Sequence, residues 1–91
     1  MNFEWDPGKD RQNRRKHRVS FQEAATVFGD PLALTYPDPD HSTSEQRFIT
    51  VGVSSADRLL IVAHVDRGED IRIISARQTT QRERKHYEEK N

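Results

Sequence analysis

The sequence predicts an α+β fold: a curved antiparallel sheet preceded by two helices and closed by one, in the order β-α-α-β-β-β-β-α. Three observations carry this. Strand-like runs from Phe48 to Ala76 are separated only by short turns, as in an antiparallel meander. Ser20 and Glu23 form a capping box that opens an apolar stripe. Thr80 and Glu83 form a second box that opens a C-terminal helix.

Each element has a local cause. Phe3-Glu4-Trp5 alternates apolar and polar, as a half-buried strand does. Asp6-Pro7 is a helix start, with Asp as the cap and Pro at the first helical position. Gly8 to Arg18 holds no apolar residue, so a helix there gains little from packing and needs another anchor. Phe21, Ala24, Ala25 and Phe28 fall on one helical stripe, and Gly29 stops it. Leu32 to Tyr36 reads as a strand, and Pro37 to Ser42 as a loop. Phe48–Ser54, Leu59–Val65 and Ile71–Ala76 follow as strands, with turns at Ser55-Ala56-Asp57 and at Arg67-Gly68. The last helix runs to about Lys90, with Tyr87 as its one large apolar side chain.

Composition bounds the function. Ninety-one residues allow one small domain, spanning 1–91. Hydrophobic residues are 32% and charged residues 33%, a thin core that a bound partner would stabilise. Cysteine is absent, which excludes disulfides, thiolate metal sites and cysteine nucleophiles. No apolar run approaches the roughly 18 residues of a membrane span, and the first residues do not read as a secretory signal. The expected location is cytoplasmic, with no membrane association.

The 15 basic and 15 acidic residues cancel globally but not locally. Residues 1–18 hold six basic residues and three acidic ones; residues 19–46 hold five acidic residues and no Lys or Arg. A neutral total therefore does not argue against a polyanion site.

Four clusters are candidates for chemistry. In the basic helix, Lys9, Asn13, Lys16 and His17 share one face at about 100° per residue. Arg11, Arg14, Arg15 and Arg18 lie largely on another, and both faces suit a phosphate backbone or an acidic partner. In the sheet, His64 and Arg72 interrupt apolar strands; Leu60, Val62 and His64 share a face, as do Arg72, Ile74 and Ala76. If the turn sets Asp66 opposite Asp70, His64 faces Arg72; a shift of one residue sends them to opposite faces. A buried arginine needs a carboxylate or a phosphate, and cross-strand pairing with Asp66 or Glu45 would serve equally. Arg77, at a strand end beside a helix N-terminus, suits an anion, and Tyr87 follows. Asp38, Asp40, His41 and Glu45 read as an acidic turn, because no ligand set of recognised spacing completes a metal site. No phosphate loop or nucleophile elbow is present, so acid–base and electrostatic catalysis remain. RNA brings its own nucleophile, the 2′-OH, and cleaving it needs only a base, an acid and cations.

The run Phe3-Glu4-Trp5-Asp6-Pro7-x-Lys9, Asn13-x-x-Lys16-His17-x-Val19-Ser20-Phe21-x-Glu23-Ala24, Asp30-Pro31, Arg72-Ile73-Ile74-Ser75-Ala76-Arg77, Arg84 and Tyr87 resembles the BrnT family of type II toxins. The resemblance implies a RelE-like fold and a cofactor-free ribonuclease that halts translation. It also implies a BrnA-like ribbon-helix-helix antitoxin, with operator DNA reached only through the toxin–antitoxin complex. In that reading Arg72 and Arg77 stabilise the transition state, His64 or His17 is the base or acid, and Lys16 holds phosphate or assists proton transfer. Arg47 is a further phosphate ligand beside Lys9, Arg11, Arg14 and Arg15, and Tyr87 stacks on a base or orients the scissile group. The rival is a non-catalytic module that binds a protein or operator DNA. Arg18 stands where the family commonly has glycine.

Overall fold

All three helix starts are used. Asp6 accepts the Lys9 N–H at 2.9 Å and Pro7 occupies the first turn. Ser20 accepts the Glu23 N–H at 3.0 Å. Only half of that expected box forms, because the Glu23 carboxylate turns away to Arg58 and Ser54. At Thr80 and Glu83 both halves form. The computed structural model describes residues 1–41 and 44–91. The elements are β1 (Asn2–Glu4), α1 (Pro7–His17), α2 (Phe21–Thr26) running into a 3₁₀ turn (Val27–Gly29), β2 (Leu34–Pro37), β3 (Arg47–Val53), β4 (Leu59–Arg67), β5 (Asp70–Gln78) and α3 (Gln81–Lys90). Ser42, the last residue of the expected loop, lies outside the described residues.

The sheet order is β1-β5-β4-β3-β2. β2 to β5 are antiparallel, as short connections require. β1 joins β5 in parallel, a departure from an all-antiparallel sheet. Most of the chain separates these two strands, so no tight turn dictates their direction. Gly68, at φ +64°, lets Arg67 pair with Asp70 across the shortest connection.

That turn settles the register. Val65 opposes Arg72, and His64 opposes Ile73. A bulge follows: Ala63 opposes Ser75, leaving Ile74 as the extra residue. The bulge reverses the phase of β5, so Ala76 is buried beside Ile73 while Arg72 lies on the other face. The expected sharing of one face by Arg72, Ile74 and Ala76 is thus corrected for Ala76, while Arg72 and Ile74 line one hollow. Of the two registers open from sequence, the one that sends His64 and Arg72 to opposite faces holds.

Each sheet face has its own apolar cluster. α2 buries Phe21, Ala24 and the adjoining Val27 against Leu60, Val62, Ile73 and Ala76. Each large side chain buried this fully is worth about 1.5–3 kcal/mol. On the opposite face α3 contributes Tyr87, packed with Val51 and Leu59. Asp30 ties the layers together, accepting from the Val53 N–H and the Tyr87 hydroxyl, both at 2.8 Å.

The all-polar α1 is held by hydrogen bonds. The buried Asn13 amide donates to the carbonyls of Val19 and Ala76, each at 2.8 Å, and accepts the Ala76 N–H at 3.1 Å. Asp10 accepts the Phe21 N–H at 2.9 Å, joining the two helices. Their junction is Arg18, at φ 60° and ψ 30°. A non-glycine residue there costs about 1–2 kcal/mol. Two predictions follow from these anchors. Asn13→Ala orphans three buried backbone groups and should cost at least about 3 kcal/mol in urea unfolding. Arg18→Gly relieves the left-handed strain and should raise the melting temperature by about 4–8 °C.

Candidate anion-binding site

The helical spacing of α1 and the strand register bring two groups of cations to one place. Lys9, Gln12, Asn13, Lys16 and His17 form the α1 wall of a hollow of about 280 Å³, whose opposite side is Ile74 and Ser75 of β5. A neighbouring hollow of about 470 Å³ holds Arg47 of β3, Val65 and Arg67 of β4, and Arg72 and Ile74 of β5. Lys9 and Ile74 line both. Arg47 and Arg72 flank Val65 as its partners on either side, so the register alone places the two guanidinium groups across one apolar floor. The bulged Ile74 is where the two hollows meet.

Carboxylates border the larger hollow. Glu45 binds Arg67 through both oxygens, at 2.9 and 2.8 Å, and Asp40 stands on the same rim. Arg67 holds the Glu45 carboxyl below its ordinary range. Glu4 reaches Arg67 at 3.4 Å and Arg72 at 3.6 Å. Arg72 therefore pairs with Glu4 of β1, while Glu45 acts on it as a nearby charge without a direct contact. Such exposed pairs are screened by solvent and weak, so a phosphate can displace them. Among the described residues, Lys9, Lys16 and His17 have no carboxylate partner within salt-bridge distance.

Several expected site residues are elsewhere. His64 is 1% exposed on the α2 face, between Phe28 and Phe48, with ring centroids at 4.9 and 5.9 Å. Its Nδ1 meets Asp66 and its Nε2 meets Thr50, each at 2.8 Å. Burial lowers its pKa, against the opposing pull of Asp66. Arg77 donates to both oxygens of Glu83, at 2.8 and 2.9 Å. That pair, set against burial and helped by Thr80, holds Glu83 at about 2. Tyr87 donates to Asp30, and burial with that bond pushes it up to about 12. Arg11, Arg14 and Arg15 are exposed on the face of α1 turned from the hollows, with Arg14 at 3.5 Å from Asp10. The structure thus gathers Lys9, Lys16, His17, Arg47 and Arg72, and does not gather His64, Arg77, Tyr87, Arg11, Arg14 or Arg15.

Residues 5–83 match a family described as "Ribonuclease toxin, BrnT, of type II toxin-antitoxin system". The chain belongs to the BrnT family. The crystal structure of the Brucella abortus ribonuclease toxin BrnT is a structural neighbour, with a TM-score of 0.68 and 23% identity. The alignment covers 89% of this chain and 99% of that one, and it shows the shared fold. Among curated proteins, none matches the chain by sequence. Among the described residues, no helix is long and apolar enough to cross a membrane.

Sequence reasoning missed Arg67 and Glu4 as parts of the hollow. Arg67 is in period-two phase with Val65, a signal that becomes usable once the turn is known to begin after it. Glu4 gave no signal, because the parallel pairing of β1 with β5 has no sequence signature. The buried His64 yields a pH prediction. Its folded pKa is depressed, so the unfolded chain binds a proton first as pH falls through about 6.5. Stability should be full above that pH and decline below it, by up to about tenfold in the folding constant per pH unit. Urea midpoints between pH 7.5 and 5.5 should show this slope, and His64→Gln should flatten it.

Proposed function

We propose that this chain is a metal-independent endoribonuclease toxin that cleaves RNA, inhibits translation in the cytoplasm, and is neutralised by a BrnA-like ribbon-helix-helix antitoxin. Operator DNA is reached only through that antitoxin complex. The observation that carries this reading is the pair of joined hollows, where an imidazole and at least three cations from α1, β3 and β5 face one floor.

The chemistry follows from what is gathered there. Arg72 and Arg47 hold the scissile phosphate, with Lys9 at the junction. The His17 imidazole takes the proton of the 2′-OH, and the 2′-oxygen attacks phosphorus. The bond to the 5′-oxygen breaks, and Lys16 gives that oxygen a proton. The products are a 2′,3′-cyclic phosphate and a 5′-OH. Charge grows on the phosphoryl oxygens during attack, which is where fixed guanidinium groups gain most. His64, Arg77 and Tyr87 take no step here, since each is committed to a structural partner. The antitoxin blocks the site by covering the cationic hollow with acidic or apolar segments.

Purified protein should cut RNA in EDTA and leave cyclic phosphate ends. Arg72→Ala should slow cutting about 10²–10³-fold, and His17→Ala about 10²–10⁴-fold. Arg11→Ala and Arg15→Ala should change the rate little. Cutting by Arg72→Ala at the wild-type rate, or ends carrying 3′-OH and 5′-phosphate, would overturn the mechanism.

A further inference from the structure

The same sheet face carries a second opening that the phosphate chemistry does not use. It is a hollow of about 380 Å³ between α3 and the sheet. Its walls are Leu34, Ile49, Val51 and Ile61. Its rim carries two rings, Tyr36 from β2 and His86 from α3, whose centroids lie 6.1 Å apart. The Tyr36 hydroxyl and His86 Nε2 are 3.2 Å apart. Arg82 adds donors to the rim. The rim carboxylate, Glu83, is neutralised by Arg77, so no free negative charge among the described lining residues opposes an approaching polyanion.

We propose that this hollow is a nucleobase subsite of the RNA site. The inference rests on the ribonuclease reading above and deepens it. Continuity is the first argument. Arg47, Val65 and Arg72 form one row of side chains; Ile49, Ala63 and Ser75 form the next row of the same face. The rows are about 7 Å apart along the strands. A nucleotide whose phosphate sits between Arg47 and Arg72 reaches the next row with its base. Chemistry is the second argument. An unpaired base needs apolar walls for its faces, rings to stack on, and a few donors for its edge. Ile49 and Ile61 supply the walls, Tyr36 and His86 the rings, and Arg82 the donors. Tyr36 is 37% exposed and His86 is exposed, so both rings are available from solvent. Tyr87, expected from sequence to stack on a base, forms the floor of this hollow instead, with its hydroxyl held by Asp30.

The test compares two probes of equal charge: a 2′-deoxy hexanucleotide of adenine, which cannot be cleaved by 2′-oxygen attack, and an abasic hexamer. Fluorescence anisotropy should show the base-bearing hexamer binding at least about tenfold tighter. The surface variant Tyr36→Ala with His86→Ala should close that gap to within about twofold and leave abasic affinity unchanged. Tyr36→Phe with His86→Phe, which keeps the rings, should preserve it. Arg72→Ala should weaken both probes equally. Equal wild-type affinity for the two probes would remove the base subsite and leave the phosphate hollow standing. Failure of both probes to bind would remove both. Loss of a dimer by sedimentation in the double alanine variant, with hexamer affinity unchanged, would assign the hollow to a second copy and overturn the proposal.

Discussion

One side chain, the Asn13 amide, holds the molecule's charged helix to its sheet. A helix without an apolar stripe has no hydrophobic reason to lie anywhere. Asn13 provides a different reason, because three buried backbone groups are satisfied only while α1 stays in place. The amide binds Ala76 much as a neighbouring strand would, at the part of β5 that β1 does not reach. It also binds Val19, fixing how α1 turns into α2. Lys9, Lys16 and His17 stand on the same face of the helix as Asn13. Anchoring that one residue therefore aims three functional candidates at the sheet.

The sheet then divides labour between its two faces. On one, α2 covers an apolar cluster, and His64 is buried on the same face, where desolvation lowers its pKa against the pull of Asp66. On the other, α3 covers only part of the surface, leaving a cationic row beside an apolar hollow. The division is made by a single register. A bulge at Ile74 turns Ala76 inward without turning Arg72 inward, so β5 feeds the core at one end and the hollow at the other.

Charge neutrality is resolved pair by pair. Arg58 is spent on Glu23 and on the carbonyl of Arg18, and it closes the α1–α2 junction. Arg77 is spent on Glu83, which also caps α3. These two arginines look like Arg72 in sequence: single cations within or beside strands. What separates them is whether a carboxylate from another element arrives in bidentate contact. Among the described residues, Arg72 meets Glu4 through a single contact at 3.6 Å and Glu45 only as a nearby charge. Arg77 stays out of the hollow of Arg72 for that reason, and His64 because it is buried on the α2 face, whereas Lys9, Lys16 and His17 arrived together because helical geometry is local.

Local rules determined much of this protein from the chain itself. Capping at Asp6, Ser20 and Thr80, the stripe from Phe21 to Phe28, and the turn at Gly68 act over a few residues, so element type and order were legible. The shared face of Lys9, Asn13, Lys16 and His17 was legible for the same reason. Tertiary structure alone decided the direction of β1, the bulge at Ile74, the partners of each arginine and the burial of Tyr87. Those depend on groups brought together from distant parts of the chain: Glu4 to Arg72, Asp30 to Tyr87, Asn13 to Ala76. A charge or hydroxyl carries no mark in sequence of the partner it will meet, and in a thin core it is those partners that decide which cations remain available for an anion.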